Sequence, residues 1–148
     1  MVTFDELNTQ NHRITELSNV LTYLLADRSM CDTDVTCKLF FDYVGRVKEH
    51  LEIEDKHMYS KLLTHTDKRV SNTAKLFLSG EVEIKRIFSA YLKKWCRKHK
   101  QELRIHDYEA FRRETEEMFE LVLNRIQDET EKLYPLVREV IGEPRQVA

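Results

Sequence analysis

His50 and Glu54 stand four residues apart in a segment of helical periodicity, a spacing that stacks both side chains on one face within reach of a single ion. An imidazole and a carboxylate together suit iron, manganese or zinc better than a metal that prefers soft thiolates. The pattern recurs. A shift of 75 residues, from His50 to Arg125, lays Glu54 on Glu129, Met58 on Leu133, Tyr59 on Tyr134 and Leu62 on Val137 without a gap. In both copies the acid lies inside the apolar stripe, four residues ahead of Met58 or Leu133. A carboxylate facing a core needs a partner, because an unpaired buried charge is expensive or is removed by taking up a proton.

The elements that must position these residues are helices. Three Gly and two Pro in 148 residues are far below ordinary usage of roughly 12%, and an all-β fold would need a turn residue every strand. The first helix opens on Thr3-Phe4-Asp5-Glu6, a capping-box pattern, and carries Leu7, Ile14, Leu17, Leu21, Leu24 and Leu25 to the polar break at Asp27-Arg28-Ser29. After residues 30–34, with Asp32 or Thr33 as N-cap, the second carries Phe40, Val44, Val47, Leu51, Met58 and Leu62 and ends around Thr64–Asp67. The third runs from about Arg69 through Phe77, Ile84, Ile87, Phe88, Tyr91 and Trp95. The segment from Lys98 to His106 connects it to a fourth, capped by Asp107, striped by Phe111, Met118, Val122, Ile126, Leu133, Leu136 and Val140, and stopped by Gly142 and Pro144. Pro135 removes a backbone bond to the carbonyl of Glu131 and predicts a kink there. Gly45 and Gly80, inside helices, predict close helix contacts. Four rods of this length and short connections predict an all-α, up-down-up-down antiparallel four-helix bundle spanning residues 1–148 as one domain.

Charge excludes several classes. Lys and Arg number 24 against 26 Asp and Glu, a net charge of -2, which argues against a nucleic-acid coat protein. The basic residues Lys93, Lys94, Arg97, Lys98 and Lys100 around Trp95 read as a helix end complementing its dipole, with Glu114, Glu116, Glu117 and Glu120 as counterparts. Apolar runs are too short to span a membrane and no signal-like segment opens the chain, so a cytoplasmic location is expected. Cys31, Cys37 and Cys96 form no C-x-x-C pair and read as plain thiols. No phosphate loop, nucleophile elbow or H-E-x-x-H helix is present, and no enzyme activity is expected.

The duplicated H-x-x-x-E-[ED]-x-x-[hydrophobic]-Y-x-x-L pattern, on helices two and four, resembles the hemerythrin-like (HHE cation-binding) family. His50, Glu54, Asp55, Met58, Tyr59 and Leu62 match the first copy, and Glu129, Leu133, Tyr134, Pro135 and Val137 the second. The resemblance implies a bundle holding a non-haem di-iron centre, with oxygen, nitric oxide or iron as what is bound or sensed. It also exposes departures. Arg125 stands where the second histidine is expected, and a guanidinium has no acceptor for a cation; it is positioned instead to pair with Glu129 and Glu54 together. Helix three has no histidine between His65 and His99, and its apolar stripe turns Glu81 inward. His12, in Asn11-His12-Arg13-Ile14, resembles the first ligand segment, although Asn11 is in better phase with Ile14 and Leu21. His57 aligns with Lys132 and reads as a flank. The metal candidates are therefore His50, Glu54, Glu129, His12 and Glu81. Two functions follow: an iron, oxygen or nitric-oxide binding or sensing module with a mononuclear or dinuclear iron, or a metal-free adaptor for a protein partner in which Arg125 replaces the metal's charge.

Overall fold

The computed structural model describes residues 3–97 and 99–141, so Gly142 and Pro144, the expected stop of the last helix, and the basic residue Lys98 lie outside the described residues. The fold is all-α, a helical bundle. Helix α1 (Phe4–Leu25) begins at Thr3, whose side chain accepts from the Glu6 amide while Glu6 reaches back to the Thr3 N–H, the full capping box. After a 3-10 turn at Arg28–Met30, Thr33 caps α2 (Asp34–His57). A break at Met58 separates α2 from the short α3 (Tyr59–Leu63), and Asp67 caps α4 (Lys68–Trp95). Asp107 accepts from the Ala110 amide to cap α5 (Tyr108–Asp128), which passes through a π turn at Glu129–Leu133 into α6 (Tyr134–Ile141). Helix α1 packs on α2 and α5, and α4 packs on α3 and α5. No helix of the described residues is long and apolar enough to cross a membrane.

The irregularities lie where regular bonding is interrupted. Helix two is two pieces, broken at Met58. Near Pro135 the structure shows a π turn: the Tyr134 N–H donates to the carbonyl of Glu129, five residues back. Such wide turns concentrate at functional sites. Between α4 and α5 a two-strand hairpin replaces a plain connection, with β1 (Cys96–Arg97) antiparallel to β2 (Glu102–Leu103) and Gln101 at φ 49° taking the left-handed position of its turn. Beside it, Lys94 pairs with Glu114 at 2.9 Å, Trp95 Nε1 donates to Glu114, and His106 stacks on the Trp95 ring at 4.5 Å. The basic end therefore finds an intramolecular acid, as its composition predicts.

The core is in two parts. One cluster joins Ile14, Leu17, Leu21, Phe40, Val47, Leu51, Ile84, Phe88, Phe111 and Val122; the other joins Phe4, Leu7, Met58, Tyr59, Leu62, Ala74, Phe77, Leu133 and Val137. On every long helix the switch from one cluster to the other coincides with polar residues in the stripe: Asn11 between Leu7 and Ile14, Glu54 between Leu51 and Met58, Glu81 between Phe77 and Ile84, Glu129 between Val122 and Leu133. A polar layer thus divides the apolar core into two halves.

Candidate metal centre

Within that layer His50, Glu54 and Glu129 come together. Their nearest ligand atoms lie within 4.8 Å of one another, and all three residues are buried. His50 Nε2 is 2.9 Å from Glu129 Oε1 and 3.5 Å from Glu54 Oε2. Its other nitrogen, Nδ1, is 3.0 Å from Gln10 Oε1. An Nδ1–H donated to Gln10 orients the ring as an outer partner orients a ligating imidazole, and in the metal-free protein the Nε2 edge hydrogen-bonds Glu129.

The carboxyl groups differ sharply in their partners. Glu129 accepts from Arg125 Nε at 2.9 Å and from the Tyr134 hydroxyl at 3.4 Å, and Tyr134 in turn accepts from Asn11 Nδ2 at 3.2 Å. Burial works against its charge, but hydrogen bonds with His50 and Glu54 and the charge of Arg125 hold Glu129 down at about 2. Glu54 accepts no hydrogen bond from any N–H or O–H, on either oxygen. Burial, reinforced by Glu129, pushes its carboxyl well above the ordinary range. In the metal-free protein the pair therefore shares one negative charge, with the proton on Glu54.

Arg125 spends its guanidinium on three partners: Glu129, the Phe77 carbonyl (Nη1, 2.8 Å) and the Tyr59 hydroxyl (Nη2, 2.7 Å), with the Phe77 ring 4.9 Å away. The expected pairing with Glu54 as well does not form; the fork is committed to α4 and α3. Of the two helix glycines, Gly80 faces this guanidinium, and a Cβ there would meet Arg125 Nη1 at 3.1 Å. Gly45 has open space around it, so the close contact expected there is absent.

Glu81 is in the layer, 1% exposed, with both oxygens lacking a hydrogen-bond donor and Lys85 Nζ 3.9 Å away. Burial and the neighbouring Asp55 push its carboxyl up to about 8. It does not converge with His50, Glu54 and Glu129. His12 lies outside the layer altogether: its side chain is 77% exposed and Nε2 bonds Glu16 at 2.7 Å. The cause is helical phase, since one residue is about 100° of rotation, and Asn11 takes the inward position. His57 is exposed, as its alignment with Lys132 predicts. Sequence reasoning missed Gln10, whose contact depends on how α1 sits against α2 and leaves no trace in either segment. Tyr59 and Tyr134 had a signal, their equivalent places in the repeat; the Tyr134 bond to Glu129 is local to the π turn, whereas the Tyr59 bond to Arg125 is a tertiary fact.

The residues present fit one cation. His50 Nε2, Glu129 Oε1 and the donorless oxygens of Glu54 converge, and the nitrogen and oxygen donors suit a divalent transition metal. The sequence model of one protein family, described as the hemerythrin HHE cation binding domain, matches residues 2–137. No curated protein and no solved structure matches the chain.

Proposed function

Because this chain belongs to the hemerythrin HHE cation-binding domain family, we propose that His50, Glu54 and Glu129 hold a non-haem iron ion through which the protein binds or senses iron, oxygen or nitric oxide. The observation that carries this reading is the convergence of three buried ligand atoms on one point, with Glu54 lacking any other partner. Bound there, iron supplies redox chemistry and an affinity for small diatomic ligands. The chain's own residues have separate tasks. Gln10 orients the imidazole, Arg125 balances the charge of Glu129, and Leu51 and Val122 on one side with Met58 and Leu133 on the other exclude water. The role is binding rather than turnover, in the cytoplasm.

Metal analysis after aerobic purification with iron supplied tests the reading. Close to one iron per chain is expected, and fewer than about 0.2 per chain overturns it. Gln10→Ala is expected to weaken iron affinity roughly 10- to 100-fold while leaving the helical circular dichroism unchanged, as loss of an orienting partner does. Equal affinity for the two proteins would show that Gln10 does not set the ring.

One observation favours a second reading. Arg125 already places a positive charge 2.9 Å from Glu129, which supports a salt-bridged network in place of a metal and a bundle that acts as a metal-free adaptor for a protein partner. The same metal analysis separates the two.

A further inference from the structure

The polar layer places three carboxyl groups and a guanidinium side by side. Glu54, Glu81 and Glu129 are each at most 1% exposed, and the Arg125 side chain is 9% exposed. Asp55 and Lys85, at the rim, pair with each other. A divalent ion held by His50, Glu54 and Glu129 shares its site with a guanidinium already fixed 2.9 Å from Glu129. A second divalent ion would add its charge beside that same fixed guanidinium, a strongly unfavourable state in a buried layer.

The ligand inventory points to one ion. Arg125 holds Glu129 Oε2, so Glu129 offers one free oxygen, alongside His50 Nε2 and the carboxyl of Glu54. The guanidinium also stands between that trio and α4. It lies on Gly80 at the floor of a groove of about 520 Å³ between α4 and the α5–π segment, where Phe77 and Ile84 form the α4 wall. Bonds to the Phe77 carbonyl and the Tyr59 hydroxyl hold it there. Only glycine at position 80 leaves ordinary room for it.

We propose that Arg125, seated on Gly80, is a built-in cation that limits this centre to one divalent metal ion per chain. The inference rests on the reading of His50, Glu54 and Glu129 as a metal site. Its chemistry is charge replacement: the fixed guanidinium takes the place of further metal and commits one oxygen of Glu129.

The test is anaerobic titration of the full chain with ferrous iron, then with manganous ion, followed by gel filtration and elemental analysis. The wild type is expected to retain one ion per chain. Arg125→Ser, which removes the charge and opens space beside Glu81, is expected to retain two, and Arg125→Lys, which keeps the charge, one. Should Arg125→Ser lose its helical signal, Arg125→Met serves, since it is neutral and fills more of the space. Two ions in the wild type overturn the proposal without any variant. One ion in both the wild type and a folded neutral variant also overturns it, while leaving the metal site itself standing. No ion in the wild type overturns the underlying reading instead.

Discussion

Glu129→Ala is expected to destabilise the metal-free protein by about 3–5 kcal/mol, because it strands the buried guanidinium of Arg125 without its carboxylate. Glu129 is fully buried and bonds Arg125 Nε at 2.9 Å, and the Arg125 side chain is itself only 9% exposed. For a chain of this size the loss corresponds to a fall in Tm of roughly 8–15 °C. A cavity alone would also destabilise, so the decisive comparison is a double-mutant cycle. Adding Arg125→Met to Glu129→Ala removes the stranded charge and is expected to restore more than half of the lost stability, a coupling characteristic of contacting charges. If the two losses simply add, the ion pair is not what holds this layer together.

The second large effect is on pH dependence. Glu81 is pushed up to about 8, and Glu54 well above its ordinary range, both chiefly by burial. A carboxyl whose folded pKa is raised binds a proton that the unfolded chain has released. Stability therefore falls as pH rises from about 4.5, the ordinary value, towards 8, with a slope of up to about 1.4 kcal/mol per pH unit for each group. Glu129 has the opposite sign. Held at about 2, it contributes stability above about 4.5 that is lost as pH falls through 2. The metal-free protein is expected to be most stable near pH 4.5, weakening on both sides. Glu81→Gln keeps the shape and removes its share of the titration, so it is expected to make the alkaline limb shallower and gain roughly 2–4 kcal/mol over the wild type at pH 8. Thermal melts of chelator-treated protein between pH 3 and 8.5 measure both limbs. A Tm that does not change from pH 5 to 8, with Glu81→Gln no more stable than the wild type, would place these carboxyl groups in a far more polar setting.

These two effects also show where sequence patterns stop being informative. The stripe on the third helix brings Glu81 inward, and the repeat aligns Glu54 with Glu129, because a side chain's angular place on a helix depends only on residue number. The same rule separates Asn11 from His12: burial follows phase, and the histidine faces water. Gly80 and Gly45 are alike by that rule, yet only Gly80 faces a guanidinium. What differs is the neighbouring helix, and no local pattern encodes it. The hairpin between α4 and α5 was illegible for a related reason: two paired residues per strand are too few to show any alternation.

By itself, then, the sequence determined the helices, their caps, their inward faces and the duplicated acid, all consequences of local geometry and short-range hydrogen bonding. Tertiary structure alone decided the partners. It joined His50 to Gln10, committed the rest of the Arg125 guanidinium to Phe77 and Tyr59 and not to Glu54, and left Glu54 and Glu81 without donors. The axial offset and rotation of packed helices are decided by side-chain interdigitation across their whole length, and a displacement of an ångström or two exchanges one hydrogen-bond partner for another. The candidate ligands were readable one helix at a time; the charge balance at their centre exists only once the helices are packed.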